Sequence, residues 1–211
     1  MQSKDKKLLA VPFSALLILA SGCGILQTKN KGQKSRENDS ALSGKWENAC
    51  SKLDWLGFSY HRTSLSFSSL GDFDKTTNLY SDDNCTAATA TLTEHGTYSS
   101  LGDAQAGSGS QNINYTISEA AVSAVSDSAV RLFNAVSYCG ISSWQVGQAT
   151  DVLDKPCAGA QHAKGAVIFD IYKVDNNGDR LTTGKGSFFL DKSDASSRPS
   201  KLDEVYVFTK K

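Results

Sequence analysis

The sequence predicts a mainly β domain of about eight antiparallel strands with one short helix near residues 127–137. Three patterns point that way. Two runs alternate strictly between polar and apolar side chains, Ser64-Leu65-Ser66-Phe67-Ser68 and Asn112-Ile113-Asn114-Tyr115-Thr116-Ile117-Ser118. That period of two is the signature of a strand with one wet face. Turn residues punctuate the chain between such runs, at Gly71-Asp72, at Asp82-Asp83-Asn84 and at Asp175-Asn176-Asn177-Gly178-Asp179. A single segment breaks the alternation with helical spacing, placing Val130, Phe133 and Ser137 on one face.

The elements follow in order. Gly44-Lys45-Trp46 enters the first strand, and residues 64–68 form another. Residues 76–80 and 88–98 are rich in Thr, which favours strands. Residues 99–110, with Gly107-Ser108-Gly109-Ser110, read as a flexible loop, and 112–118 as a strand. Asp127 is a suitable N-cap for the helix, Leu132 and Val136 adjoin its apolar face, and Gly140 is a stop signal. Residues 141–163 look irregular around Trp144. Residues 166–174, the turn at 175–179 and residues 180–190 form a hairpin, since Asn and Gly accept positive φ at least cost. Residues 204–209 close the chain as a last strand. This count and spacing fit a closed antiparallel barrel or a sandwich. The inward set is Leu65, Phe67, Ile113, Tyr115, Ile117, Phe169 and Ile171. These side chains either line a ligand cavity or make a dense core; alternation marks an inside without saying whether it is empty.

The N-terminus has the parts of an export signal: Lys4, Lys6 and Lys7, then an apolar run over residues 8–20, then Ala20, Ser21 and Gly22 before Cys23. The run is too short to span a membrane as a helix, which takes roughly 20 residues. Leu19-Ala20-Ser21-Gly22-Cys23 resembles the lipobox of bacterial lipoproteins, with the usual leucine displaced by one place. The resemblance implies cleavage before Cys23, acylation of that cysteine with palmitate-type chains, and a stable anchor in a bacterial membrane. Gly24 is not the aspartate that retains such proteins at the inner membrane, so the resemblance favours the outer one. The expected division is a signal over 1–22, a lipidated tether over 23–41 and a β-barrel domain over 42–211. Residues 27–40 carry no large apolar side chain and cannot offset their ordering entropy.

The precursor is neutral, with 22 basic and 22 acidic residues, and residues 44–211 hold 15 basic and 19 acidic. No basic stripe remains, which argues against nucleic acid as a partner. Besides Cys23 there are four cysteines, Cys50, Cys85, Cys139 and Cys157. An even number in an exported domain implies two disulfides, with three connectivities open. Cys50–Cys85 and Cys139–Cys157 is the favoured one. No two cysteines lie in a C-x2-C pair, and none has a histidine at ligand spacing, so zinc is disfavoured.

Gly44-x-Trp46 at the entry to the first of about eight strands resembles the lipocalin and wider calycin group. In that group the tryptophan plugs the closed end of the barrel and a basic residue covers it, for which Lys210 is the candidate here. The chain departs from the group in two ways. It has no Thr-Asp-Tyr motif, and its helix follows about the fifth strand, not the eighth.

Signals for chemistry are weak. His61, His95 and His162 read as surface histidines, and no Gly-x-Ser-x-Gly elbow exists. Asp175-x-Asn177-x-Asp179 has glycine at position four and strands on both sides, unlike an EF-hand loop. No cofactor, no metal and no enzymatic activity are expected. Two functions compete, ahead of a third, a hydrolase, which would require a cleft holding a histidine beside a nucleophile. One is a small apolar ligand carried in the barrel of a membrane-anchored monomer. The other is a cavity-less module binding an envelope protein through its loops, with Trp55 and Trp144 as contact residues.

Overall fold

The computed structural model describes residues 40–104, 108–157, 163–186 and 193–211. The expected signal, Cys23, most of the tether, His162 and the strand residues 187–190 lie outside them. The strands are β1 (Gly44–Asn48), β2 (Ser51–Trp55), β3 (Phe58–Phe67), β4 (Asp72–Tyr80), β5 (Ala90–Asp103), β6 (Gln111–Ala124), β7 (Ala149–Asp151), β8 (Val167–Val174), β9 (Arg180–Gly184) and β10 (Leu202–Lys210). One α-helix, α1 (Asp127–Ala135), lies between β6 and β7.

The result is a closed, antiparallel, eight-position barrel, as the alternation predicts. Neighbours in sequence are neighbours in the sheet, and β1 closes the ring by pairing with both β10 and β3. Two short strands, β2 and β7, bring the strands among the described residues to ten. The break at Ala49–Cys50 splits one position into β1 and β2, which both pair with β3. β7 pairs with the end of β6 that β8 does not reach. β7 falls within 141–163, so that stretch is less irregular than its composition predicts. β5 also runs on to Asp103, into the expected loop.

Antiparallel order gives the barrel two ends. Trp46, the turn at Ser68–Gly71, the turn at 175–179 and Lys210 gather at one, called lower here. The β2–β3 turn, the β4–β5 loop and α1 gather at the other. Ser126, not Asp127, caps the helix: its side chain accepts from the Ala129 amide, which leaves Asp127 to favour the dipole from the first turn. The helix stops at Ala135 because Ser137, with φ of 47°, turns left-handed. A 3-10 turn, Tyr138–Gly140, follows and ends on that glycine.

Two disulfides fasten the upper end, Cys50–Cys85 and Cys139–Cys157, with Cα separations of 5.7 and 4.1 Å. They mark a chain that folds in an oxidising, exported compartment. No helix of the described residues is long and apolar enough to cross a membrane.

A bulge between His95 and Gly96 shifts the β5–β6 register and brings the Thr116 carbonyl against Gly96, where a Cβ would sit, with the Phe73 ring behind it. Gly96→Ala is therefore expected to cost about 2 kcal/mol in urea unfolding, since rigid backbone must move. An unchanged midpoint would mean that the two strands do not approach this closely.

Candidate functional site

The barrel interior contains two apolar clusters. The lower one holds Leu42, Trp46, Leu65, Phe67, Phe73, Tyr98, Ile113, Ile117, Tyr172, Leu181 and Phe208. Trp46 is fully buried and donates from Nε1 to the Leu42 carbonyl at 2.7 Å. Lys210 Nζ lies 5.0 Å from the centre of its ring, and the lysine stem crosses the space left by Gly44. The cation thus closes the lower end over the aromatic face.

Five of the seven expected inward side chains, Leu65, Phe67, Ile113, Tyr115 and Ile117, meet in this cluster. They fill space. Phe67 packs edge-on to Tyr98 with centroids 5.1 Å apart, and Phe73 lies 4.9 Å from Tyr115. Burial raises the Tyr115 hydroxyl well above the usual range, with Asp170, Tyr172 and Tyr98 adding to it. Phe169 and Ile171 are corrections. In β8 it is Ile168, Tyr172 and Val174 that join the lower cluster. Phe169 is on the opposite face, under the Arg198 guanidinium at 5.2 Å, and Ile171 is buried but belongs to neither cluster. Arg198 also donates to the Ile113 carbonyl at 2.9 Å and to Asn114 Oδ1 at 2.6 Å, strapping the wall at β6 and β8.

The upper cluster is shared between barrel and plug. Leu53, Phe58, Leu79, Ala90, Val122 and Ala124 come from strands; Ala129, Phe133, Tyr138, Trp144 and Val152 come from α1 and the segment after it. Trp144 is a second correction: it is 3% exposed, and its Nε1 donates to the Ile141 carbonyl at 3.0 Å. It is a core residue of the plug and not a free loop contact. Trp55 is half-buried against Phe58 and Tyr138. Asn134 binds the Trp144 backbone through both ends of its amide, at 2.7 and 3.2 Å, which joins helix to plug. The plug therefore covers the upper end of the barrel.

A polar layer comes between the clusters on β3, β4 and β5, and the histidine expectation missed it. His61 is 3% exposed, not a surface residue. With Asn48, Thr63, Lys75, Thr77 and Glu94 it forms a polar band over successive rungs of β1, β3, β4 and β5. The Thr63 amide donates to Asn48 Oδ1 at 2.6 Å, the Thr63 and Thr77 hydroxyls are 3.1 Å apart, and Lys75 pairs with Glu94 at 2.6 Å. Burial, helped by the Lys75 charge, lowers the His61 pKa to about 4. The phase of β3 contained the signal: His61 and Thr63 lie two and one steps before Leu65 in the same alternation.

A polar groove of roughly 700 Å³ opens beside this layer. Residues of both strand faces line it, Lys75 and Glu94 from the inward face and Asp74, His95 and Glu119 from the outward one, with Leu153 and Lys164 from the segments after β7. His95 Nδ1 is 2.7 Å from Asp74 Oδ1, both well exposed. The nearby Ser118 hydroxyl donates to the His95 carbonyl, not to the ring, so it is held as a backbone contact at the bulge. Among the described residues no three His, Cys, Asp or Glu side chains converge on a metal position. At the lower turn, Asp175 Oδ1 accepts from the Asp179 and Arg180 amides at 3.1 and 3.2 Å. Its carboxylate is thereby committed to shaping the hairpin.

No family model matches the sequence, and a search of the curated proteins finds no match either.

Proposed function

We propose that the protein is a bacterial envelope lipoprotein, held by acyl chains on Cys23, whose filled lipocalin-like barrel is a non-catalytic scaffold for contact with another envelope protein. The observation that carries this reading is the occupation of the interior. Phe67, Tyr98, Phe73 and Tyr115 rings fill the lower half, and Phe133, Tyr138 and Trp144 fill the mouth. An apolar ligand would need space that these side chains occupy. The two disulfides and the apolar run ending in Ala20-Ser21-Gly22-Cys23 support export and anchoring. Lys210 over Trp46 supports the lipocalin-like reading.

Two measurements test it. The native mass of the purified domain, residues 42–211, is expected to equal its covalent mass with two disulfides. A small molecule released on denaturation would overturn the filled-barrel reading in favour of ligand carriage. Labelled palmitate is expected to enter the full-length protein in cells, and Cys23→Ala is expected to abolish the label and release the protein from the membrane fraction. Retention of the label in that variant would reject the anchor.

A further inference from the structure

We infer that the plug, residues 127–157, opens as a unit across the polar layer while the Trp46 half of the barrel stays folded. This goes beyond the proposed scaffold role and does not depend on the anchor.

Three independent features carry it. First, the interior is not one core. Along β4 the inward side chains run Phe73, Lys75, Thr77, Leu79, so the lower cluster ends before the upper one begins. Along β3 they run Phe67, Leu65, Thr63, His61, with Phe58 above. Of the partly buried apolar side chains, Leu153 packs against both clusters. Regions open separately where few buried apolar contacts join them, and on β3 and β4 apolar contact between the clusters is interrupted. Second, the Tyr138 hydroxyl is buried with no hydrogen-bond partner among the described residues. The residue is 3% exposed and stacks on Phe133 at 4.7 Å. An unpaired buried hydroxyl opposes the closed state and is relieved by water when the plug lifts. Third, Tyr138 sits between two left-handed non-glycine residues, Ser137 at φ of 47° and Cys139 at φ of 57°. Such strain persists only while surrounding packing imposes it, and it too is released on opening.

The plug's own internal ties favour movement as one body. Asn134 holds Trp144, Trp144 Nε1 holds the Tyr138 and Ile141 carbonyls, and Cys139–Cys157 closes the segment on itself. Its backbone ties to the wall run mainly along one strand and its hinge: β7 pairs with Ala121–Ser123 of β6, Gly147 and Val152 donate to the Ala124 and Ala120 carbonyls, and Val125 and Ser126 donate to the Thr89 carbonyl, while side-chain packing in the upper cluster makes the rest of the contact.

Native-state hydrogen exchange on the full chain, read by mass spectrometry at low urea, tests the inference. Amides of 127–157 are expected to exchange about 100-fold faster than those of Leu65, Phe67, Ile113 and Ile117, and with weaker urea dependence. Tyr138→Phe removes the unpaired hydroxyl and is expected to slow plug exchange about tenfold while leaving lower-barrel exchange less changed. Thr63→Val with Thr77→Val joins the clusters and is expected to bring plug and barrel amides together. Plug amides that exchange at the lower-barrel rate in the wild type would overturn the inference. So would a Tyr138→Phe protein whose plug exchanges as fast as the parent.

Discussion

Trp46→Ala is expected to lower unfolding free energy by about 4 kcal/mol, with a fall in Tm on the order of 10 °C. Three losses combine there. The largest side chain of the lower cluster disappears from a site with no solvent exposure. The Leu42 carbonyl loses its donor at 2.7 Å, and Lys210 loses the ring beneath its ammonium. Leu42 and Lys210 are the residues where the chain enters and leaves the barrel, so the cavity opens at the seam that β1 closes with β10. Trp46→Phe keeps part of the ring but not the Nε1 donor and is expected to lose less than half as much. Urea unfolding of the three proteins decides it. A loss near that of a surface substitution would show that Trp46 does not close this end.

Acid is expected to destabilise the fold through His61. Its folded pKa of about 4 lies below the ordinary value of 6.5, so between those values the unfolded chain binds the extra proton. Stability is therefore full above pH 6.5 and falls as pH drops toward 4, with about 3 kcal/mol lost from this group. The groups that face the ring explain the direction. Lys75 repels the imidazolium, Thr63 Oγ1 lies 3.4 Å from Nδ1, and the Tyr206 ring is 5.4 Å away. None of these supplies a negative charge, and the Glu94 carboxylate is already paired with Lys75. Carboxylates elsewhere add their own acid dependence, so the comparison is with His61→Gln. That variant is expected to have a markedly flatter stability profile between pH 7 and 4.5. Parallel profiles would mean that His61 is solvated when folded.

The legible parts of the fold were those where one face differs from the other. β3 and β6 alternate polar with apolar, and the structure follows that phase at Leu65, Phe67, Ile113 and Ile117. β8 has apolar residues on both phases, so the pattern could not say which set is inward. There Asp170 misleads: it is buried on the same phase as Tyr172, and its Oδ1 accepts from the Gly184 amide at 3.2 Å. The polar layer was missed for a related reason. A histidine or lysine counts as solvated in composition, whereas burial of Thr63, Thr77 and His61 is made tolerable by partners on three different strands.

By itself the sequence determined a mainly antiparallel β domain, the turn positions, the helix near 127, the two bridges in an exported chain and a tryptophan at the barrel entry. These are local signals, since side-chain period, turn chemistry and cysteine parity act over a few residues or through composition. Only the tertiary structure decided that aromatic rings occupy both apolar clusters of the interior, that Trp144 is core, and that His61 is dry. It also decided that the plug closes the mouth above a polar layer. Each of those depends on which side chains from distant strands share a level inside a closed ring, and register around the ring sets that level, a quantity no single strand encodes.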